Sequence, residues 1–520
     1  MSPHSHKNQP KPHCCPCCDH SERDIDEMTR RGFLGGAAFG AAALTGLSWS
    51  ALAAGAGADV EAAPPRRALK VKPVFCYSIP QRAHQRSWRS WGGIQTPQDA
   101  DAEVARIQTE LNQLKATADF PVTMMPIARA QSANDLQAAK DLADADVLLV
   151  YAANGGGAVN ALAKLGKDVI FFVRHKSGPV YLWYEIISPR FLRQHTDTLA
   201  VEGIDFEDVV VDDQKEILWR LRALCGLRNT LGSRILAIGG PGAWAQPPGV
   251  VPDLVRKKWK FDIQTITYDE LGKLLKAARE DQATVALARR RAEDYLTLPG
   301  TKLEVKREFV DNAFVLEQVF RKLMAKAECG AITINGCMGT IMPISDTTAC
   351  LPLSTLNDDG YLAFCESDFV VIPSGMLLSN ISGRPPFLND PTYPHDHVIT
   401  LAHCTGPRKM DGKNLEPVRI LTHFESDYGA APKVEMHSGQ TVTNIVPDFK
   451  AERWLGFSGE IIDAPFLPIC RAQIDIRFDC DTDAVAERMP GFHWMTIYGN
   501  YLREAGYALK RIPIEFENLG

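Results

Sequence analysis

Apolar residues in the first two thirds of the chain gather in short, nearly continuous runs. The runs at 74–77, 146–151, 168–173, 234–238, 261–266 and 331–334 each have the length and composition of a strand buried on both faces. Between them, apolar positions recur every three or four residues. That spacing predicts helices over 100–116, 158–165, 214–225, 268–280 and 310–327. Buried strands alternating with helices predict parallel, doubly wound sheets. Past about residue 360 the texture changes, with more proline and glycine. Strands are predicted there at 369–372, 397–401, 418–422, 440–446 and 466–474, and a helix near 495–504. The expected fold is α/β. Two doubly wound α/β domains, 71–230 and 231–355, precede a β-rich, barrel-like C-terminal domain, 356–520.

The front of the chain follows another pattern. Thr29-Arg30-Arg31-Gly32-Phe33-Leu34 leads into a weakly apolar, Gly/Ala-rich run over 35–47, and Ala51-Leu52-Ala53 closes it. This is the layout of a twin-arginine export signal, which carries proteins across the membrane already folded. The run is too short and too rich in small residues for a stable membrane span. Residues 1–54 are therefore read as signal and N-terminal extension, and 55–70 as a linker. The expected localisation is exported or periplasmic.

Composition narrows the partners. The chain is 45% hydrophobic and 23% charged, with a net charge of -6. Mean hydropathy is -0.14. With no long basic block beyond the signal, nucleic acid is excluded as a partner. Cys14, Cys15, Cys17 and Cys18 precede the arginines and would be lost on cleavage. The other nine cysteines are scattered, odd in number and set among apolar residues. They read as buried thiols.

Two glycine loops follow buried strands, Asn154-Gly155-Gly156-Gly157 and Gly239-Gly240-Pro241-Gly242. Neither fits the dinucleotide fingerprint, and no phosphate-binding lysine loop is present. They suit tight turns or the wall of a substrate cleft. No organic cofactor is expected.

Candidate chemistry lies further on. Cys365-Glu366-Ser367-Asp368, Asp390, His403-Cys404-Thr405 and His493 each stand in a run otherwise apolar or rich in Gly and Pro. Carboxylates are rarely buried unless paired, protonated or bound to metal. Two carboxylates and an imidazole suit Mn²⁺ or a similar divalent ion. Each acid taken singly is also compatible with capping or turn formation.

The segment Gly360…Cys365-Glu366-Ser367-Asp368, then Asp390, then His493 ahead of Tyr498-Gly499, resembles the L-fucose isomerase / L-arabinose isomerase superfamily. Ser345…Cys350-Leu351-Pro352-Leu353 and His403-Cys404-Thr405 are similar as well. The resemblance is strongest over 330–500. It implies a metal-dependent aldose–ketose isomerase working through an ene-diol, with a divalent metal, Mn²⁺ for preference. Glu366, Asp390 and His493 would be the ligands, Glu366 and Asp390 the catalytic carboxylates. It also implies a homo-oligomer with the site between subunits.

For the sugar, Arg82, Trp88 and Trp91 follow the first strand, and His403, Trp494 and Tyr498 lie near the candidate ligands. Rings cover C–H faces and guanidinium donates to hydroxyls. Tyr181, Trp183 and Tyr184 form a second aromatic group. Competing readings are a divalent-metal hydrolase or lyase and a catalytically silent sugar-binding protein on the same fold.

Overall fold

The computed structural model describes residues 44, 46–54, 62–181 and 204–520. The twin-arginine motif, the four leading cysteines, Trp183 and Tyr184 lie outside the described residues. The described residues belong to one compact unit, Ala41–Gly520.

The first sheet holds β1 (Leu69–Cys76), β2 (Val122–Met124), β3 (Ala128–Ala130), β4 (Val147–Ala152), β5 (Asp168–Val173) and β6 (Val209–Val211). All pairings are parallel, in the order β2-β1-β4-β5-β6 with β3 also beside β1. The interior strand β4 is buried at every position because helices cover both faces. Helix Pro97–Thr117 starts where the sequence says it should. Thr96 and Asp99 form a capping box, and Pro97 lacks the N–H that a first turn leaves unpaired.

The second sheet uses β7 (Arg234–Ile238), β8 (Asp262–Ile266), β10 (Ala331–Ile334) and β11 (Leu362–Phe364); β9 (Thr301–Leu303) pairs elsewhere. The order β11-β10-β7-β8 is again parallel. The chain steps from β7 to β8 on one side and to β10 on the other. The C-terminal ends of β7 and β10 thus flank a switch point, where open α/β sheets bind ligands.

The remaining strands are β12 (Phe387–Pro391), β13 (Val398–His403), β14 (Val418–His423), β15 (Tyr428–Val434), β16 (Thr441–Pro447), β17 (Arg453–Asp463), β18 (Ala472–Arg477), β19 (Trp494–Tyr498) and β20 (Glu515–Asn518). Six of them, β16-β19-β12-β13-β18-β17, pair antiparallel, and β16 with β17 closes the ring into a barrel. The expected α/β plan with a barrel-like end is present. The β14–β15 hairpin stands outside the barrel and takes β9 as its third strand.

Three local expectations are corrected. Residues 369–372 form a turn that opens helix Ile372–Ser382, because Pro373 sits at the helix start and both helix faces are buried. Residues 495–498 form barrel strand β19, not a helix. A short, mostly apolar run cannot distinguish these two states. Phe466 and Leu467 are exposed, and the strand begins only at Ala472.

Near the front, helix Trp49–Ala54 turns Trp49 and Leu52 into the core of the second sheet. Trp49 Nε1 donates to Asp281 Oδ2 at 3.1 Å. Among the described residues no helix is long and apolar enough to cross a membrane.

Candidate metal centre

The C-terminal end of β11 meets one end of the barrel. Immediately after β11 the backbone enters the left-handed region at Glu366 (φ 64°) and Ser367 (φ 47°). Side-chain-bearing residues adopt this conformation at a cost of about 1–3 kcal/mol each when the surroundings enforce it. The enforcement is visible. Gly242, in the loop after β7, donates its N–H to Ser367 O at 3.2 Å and accepts from Phe369 N at 3.1 Å. A Cβ on Gly242 would meet Asn335 Nδ2 at 3.2 Å, so a side chain there would press on that amide. The clamped turn presents Glu366 and Asp368 together.

The barrel supplies the rest. Asp390 lies on β12, His403 ends β13, and His493 directly precedes β19, whose Trp494 pairs with Asn389 of β12. The structure brings Glu366, Asp390 and His493 together. His493 Nε2 is 3.1 Å from Asp390 Oδ1 and 3.3 Å from Glu366 Oε2. On the other ring edge, His493 Nδ1 is 2.5 Å from Asp368 Oδ2. His403 Nε2 lies 3.5 Å from Glu366 Oε1. Cys365, Glu366 and His403 each offer a ligand atom within 4.8 Å of the others. This Cys/His/Glu group, with its cysteine and histidine buried and its glutamate open to solvent, could hold a metal ion.

Exposure separates the roles. His493, Asp368 and His403 are buried, while the side chains of Glu366 and Asp390 are 42% and 29% exposed. Solvent can therefore reach the two carboxylates, and buried imidazoles back them. Asp390 Oδ1 and His403 Nε2 are buried atoms whose contacts with His493 and Glu366 are not aligned as hydrogen bonds. Buried polar atoms without a hydrogen bond are costly, and a cation would satisfy both. Asp368 holding Nδ1–H would leave the Nε2 lone pair for that cation, the arrangement by which carboxylates orient metal-binding histidines.

The electrostatics agree. Burial opposes charge on His493, but its interactions with Asp368, Asp390 and Glu366 outweigh burial and push its pKa up to about 12. Burial likewise opposes charge on His403, yet Glu366 and Asp390 raise its pKa to about 8. Burial would also raise the Glu366 carboxyl, but the two imidazoles hold it well below the usual carboxylate range. Three acids converge here, so the pocket requires positive charge, whether protons or a metal.

The sugar-contact candidates divide. His403 is part of the centre, with Nδ1 3.2 Å from Thr405 Oγ1. Trp494 is fully buried and edge-on to Phe457, so it fills the barrel interior instead of facing a ligand. The Tyr498 hydroxyl donates to Glu416 Oε1 at 3.0 Å, which commits it to another cluster. Arg82, Trp88 and Trp91 lie in the loop after β1, with Trp91 64% exposed. The Arg89 guanidinium covers Trp88, and Gly93 N–H anchors the loop to Val180 O at 2.7 Å. Tyr181 is buried, and its hydroxyl donates to Glu103 Oε1 at 2.5 Å.

Sequence reasoning missed two neighbours of the centre. Asp368 stood in the quoted motif without a role. Trp244, just beyond the Gly239–Gly242 loop, stacks on Phe492 at 4.0 Å and stands edge-on to His493 at 6.2 Å. The segment after the glycine loop thus borders the centre, and its position after β7 was the available signal. Comparison of the chain with protein-family models and with curated proteins returned no match.

Proposed function

We propose that the protein is a divalent-metal-dependent aldose–ketose isomerase acting on a small sugar through an ene-diol. One observation carries the reading. His493 Nε2 meets two solvent-reachable carboxylates while its Nδ1 is engaged by a buried third. Two carboxylates and an imidazole are the donor set of a hard-to-borderline divalent ion, and Mn²⁺ fits it. When bound by Glu366, Asp390 and His493, such an ion stabilises negative charge developing on the sugar oxygens.

The chain's own groups do the proton work. Glu366 or Asp390 takes a proton from one of two adjacent sugar carbons, and a proton is returned to the neighbouring one. Asp368 keeps the His493 ring oriented. His403 lies against Glu366, so its protonation modulates that carboxylate. Trp244, partly exposed and stacked on Phe492, offers a face for sugar C–H groups.

The same reading extends to the rest of the molecule. Arg82, Trp88 and Trp91 project from an exposed loop suited to a neighbouring subunit's site in a homo-oligomer. The domain plan is 71–230, 231–355 and a catalytic 356–520. The Arg30-Arg31 motif supports export of the folded enzyme.

The test is a panel of pentoses and 6-deoxyhexoses, each incubated with purified protein and Mn²⁺ and assayed for ketose. Expected is ketose from at least one sugar, abolished by chelator, and reduced by orders of magnitude in Glu366→Gln. Near-normal turnover in Glu366→Gln would refute that residue's role.

A further inference from the structure

Five of the cysteines that look scattered in the sequence gather on this side of the molecule. Cys337 and Cys365 touch at 3.9 Å. The other three form a separate cluster. Cys350 begins helix Cys350–Asp358, Cys404 follows β13, and Cys470 precedes β18. Cys404 interacts through its thiol with both Cys350 and Cys470. All three pack together with Ala431 of β15. His423, at the end of β14, completes the set. One ligand atom from each of Cys350, Cys404 and His423 lies within 4.8 Å of the others, and all three residues are buried.

We propose a second, thiolate-rich metal site here, in which Cys350, Cys404, Cys470 and His423 bind Zn²⁺. Three sulfurs and one imidazole are a standard closed tetrahedral zinc set. Zn–S bonds of about 2.3 Å place ligand sulfurs about 3.7 Å apart, so Cys350, Cys404 and His423 need only a small contraction, and Cys470, packed against them, would swing in as the fourth ligand. The four ligands come from four separate elements. Zinc would therefore tie helix Cys350–Asp358 and the outlying β14–β15 hairpin to barrel strands β13 and β18.

Binding releases thiol protons to solvent, since zinc takes thiolates and neutral imidazole. Arg471 adjoins the cluster, with Nε donating to Thr422 O at 2.7 Å, and offsets the added negative charge. The neighbouring acidic centre is richer in oxygen and nitrogen, this cluster in sulfur. Ligand softness would sort two metals between them. Because His403 is next to Cys404, the zinc would also fix the backbone that places an imidazole in the first centre. The proposal stands whether or not the protein isomerises sugars.

The test is metal analysis of purified full chain, with Co²⁺ substitution read by thiolate-to-cobalt charge-transfer and intense visible d–d absorption. Expected is one zinc per chain and cobalt–thiolate bands. Both should vanish in Cys404→Ser and survive in Glu366→Gln and in Cys480→Ser. A readout without variants guards against misfolding: zinc should shield three thiols of the wild-type protein from alkylation, and chelation should expose them. Wild-type protein that takes up no zinc and gives no cobalt–thiolate bands overturns the proposal. So do bands that persist in Cys404→Ser, or a disulfide between two of the three cysteines.

Discussion

Replacing Asp368 with asparagine would test the arrangement of the metal centre most directly. Asp368 and His493 are both buried and meet at 2.5 Å, so solvent screens their interaction little. In the metal-bound state the carboxylate accepts a hydrogen bond from Nδ1–H, which leaves the Nε2 lone pair for the ion shared with Asp390 and Glu366. An asparagine amide can instead donate to Nδ1, which moves the ring proton to Nε2 and turns a ligand into a donor. At best its carbonyl accepts a weaker, uncharged hydrogen bond. Loss of one charge-assisted hydrogen bond costs about 1.5–3 kcal/mol. Loss of a carboxylate that orients a metal-binding histidine costs about ten- to hundred-fold in affinity, or about 1.4–2.8 kcal/mol. The two figures agree. Titration calorimetry with Mn²⁺ on wild type and Asp368→Asn should show that drop in affinity, with circular dichroism confirming an intact fold. Mn²⁺ affinity unchanged within about two-fold would refute the orienting role, because that is far below the ten-fold minimum.

Other outcomes follow from the same structure. Trp244→Ala should raise KM by several-fold, about 1 kcal/mol, with little change in kcat, because a stacked face binds ground and transition states alike; a fall in kcat with constant KM would contradict this. Burial pushes the Asp358 carboxyl up to about 7 against N–H donors from Lys409 and Arg408. The folded chain thus holds this proton more tightly than the unfolded chain. The associated stability is full below about pH 4 and lost as pH rises through about 7. Asp358→Asn should flatten the melting-temperature profile across that window, and an unchanged slope would refute it. Glu317 is fully buried between Arg291 and Arg321. Glu317→Ala should cost about 1.5–3 kcal/mol in denaturant unfolding, since it removes the buried partner that Arg291 and Arg321 share and leaves Asp359 to pair with both. Trp49 and Leu52 lie buried on the second sheet's core. A chain starting at residue 62 should be about 3 kcal/mol less stable than one starting at 44, and equal midpoints would show that the contact adds nothing.

The chain's local patterns made much of the fold legible. Runs such as 147–152 and 168–173 are apolar on both strand faces, which only a covered parallel sheet accommodates. The Thr96–Asp99 capping box and the Pro97 start are readable for the same reason: their partners lie within four residues. Residues 495–498 were not legible, because so short and mostly apolar a run satisfies helix and strand equally until a barrel pairs it. Trp494 looked like a sugar contact beside His493, but strand alternation sends neighbouring side chains to opposite faces.

What the sequence determined by itself was the set of chemically expensive residues: acids and imidazoles in apolar surroundings at Glu366, Asp390, His403 and His493, and an α/β-then-β order of elements. Local periodicity and burial cost are properties of neighbouring residues, so they can be read along the chain. The tertiary structure alone decided which of these groups meet. It set Asp368 behind His493, turned Trp244 toward the centre, and drew Cys350, Cys404 and Cys470 together from positions up to 120 residues apart. Those encounters depend on barrel closure and on a strained turn held by Gly242, and such long-range contacts leave no periodic trace in the sequence.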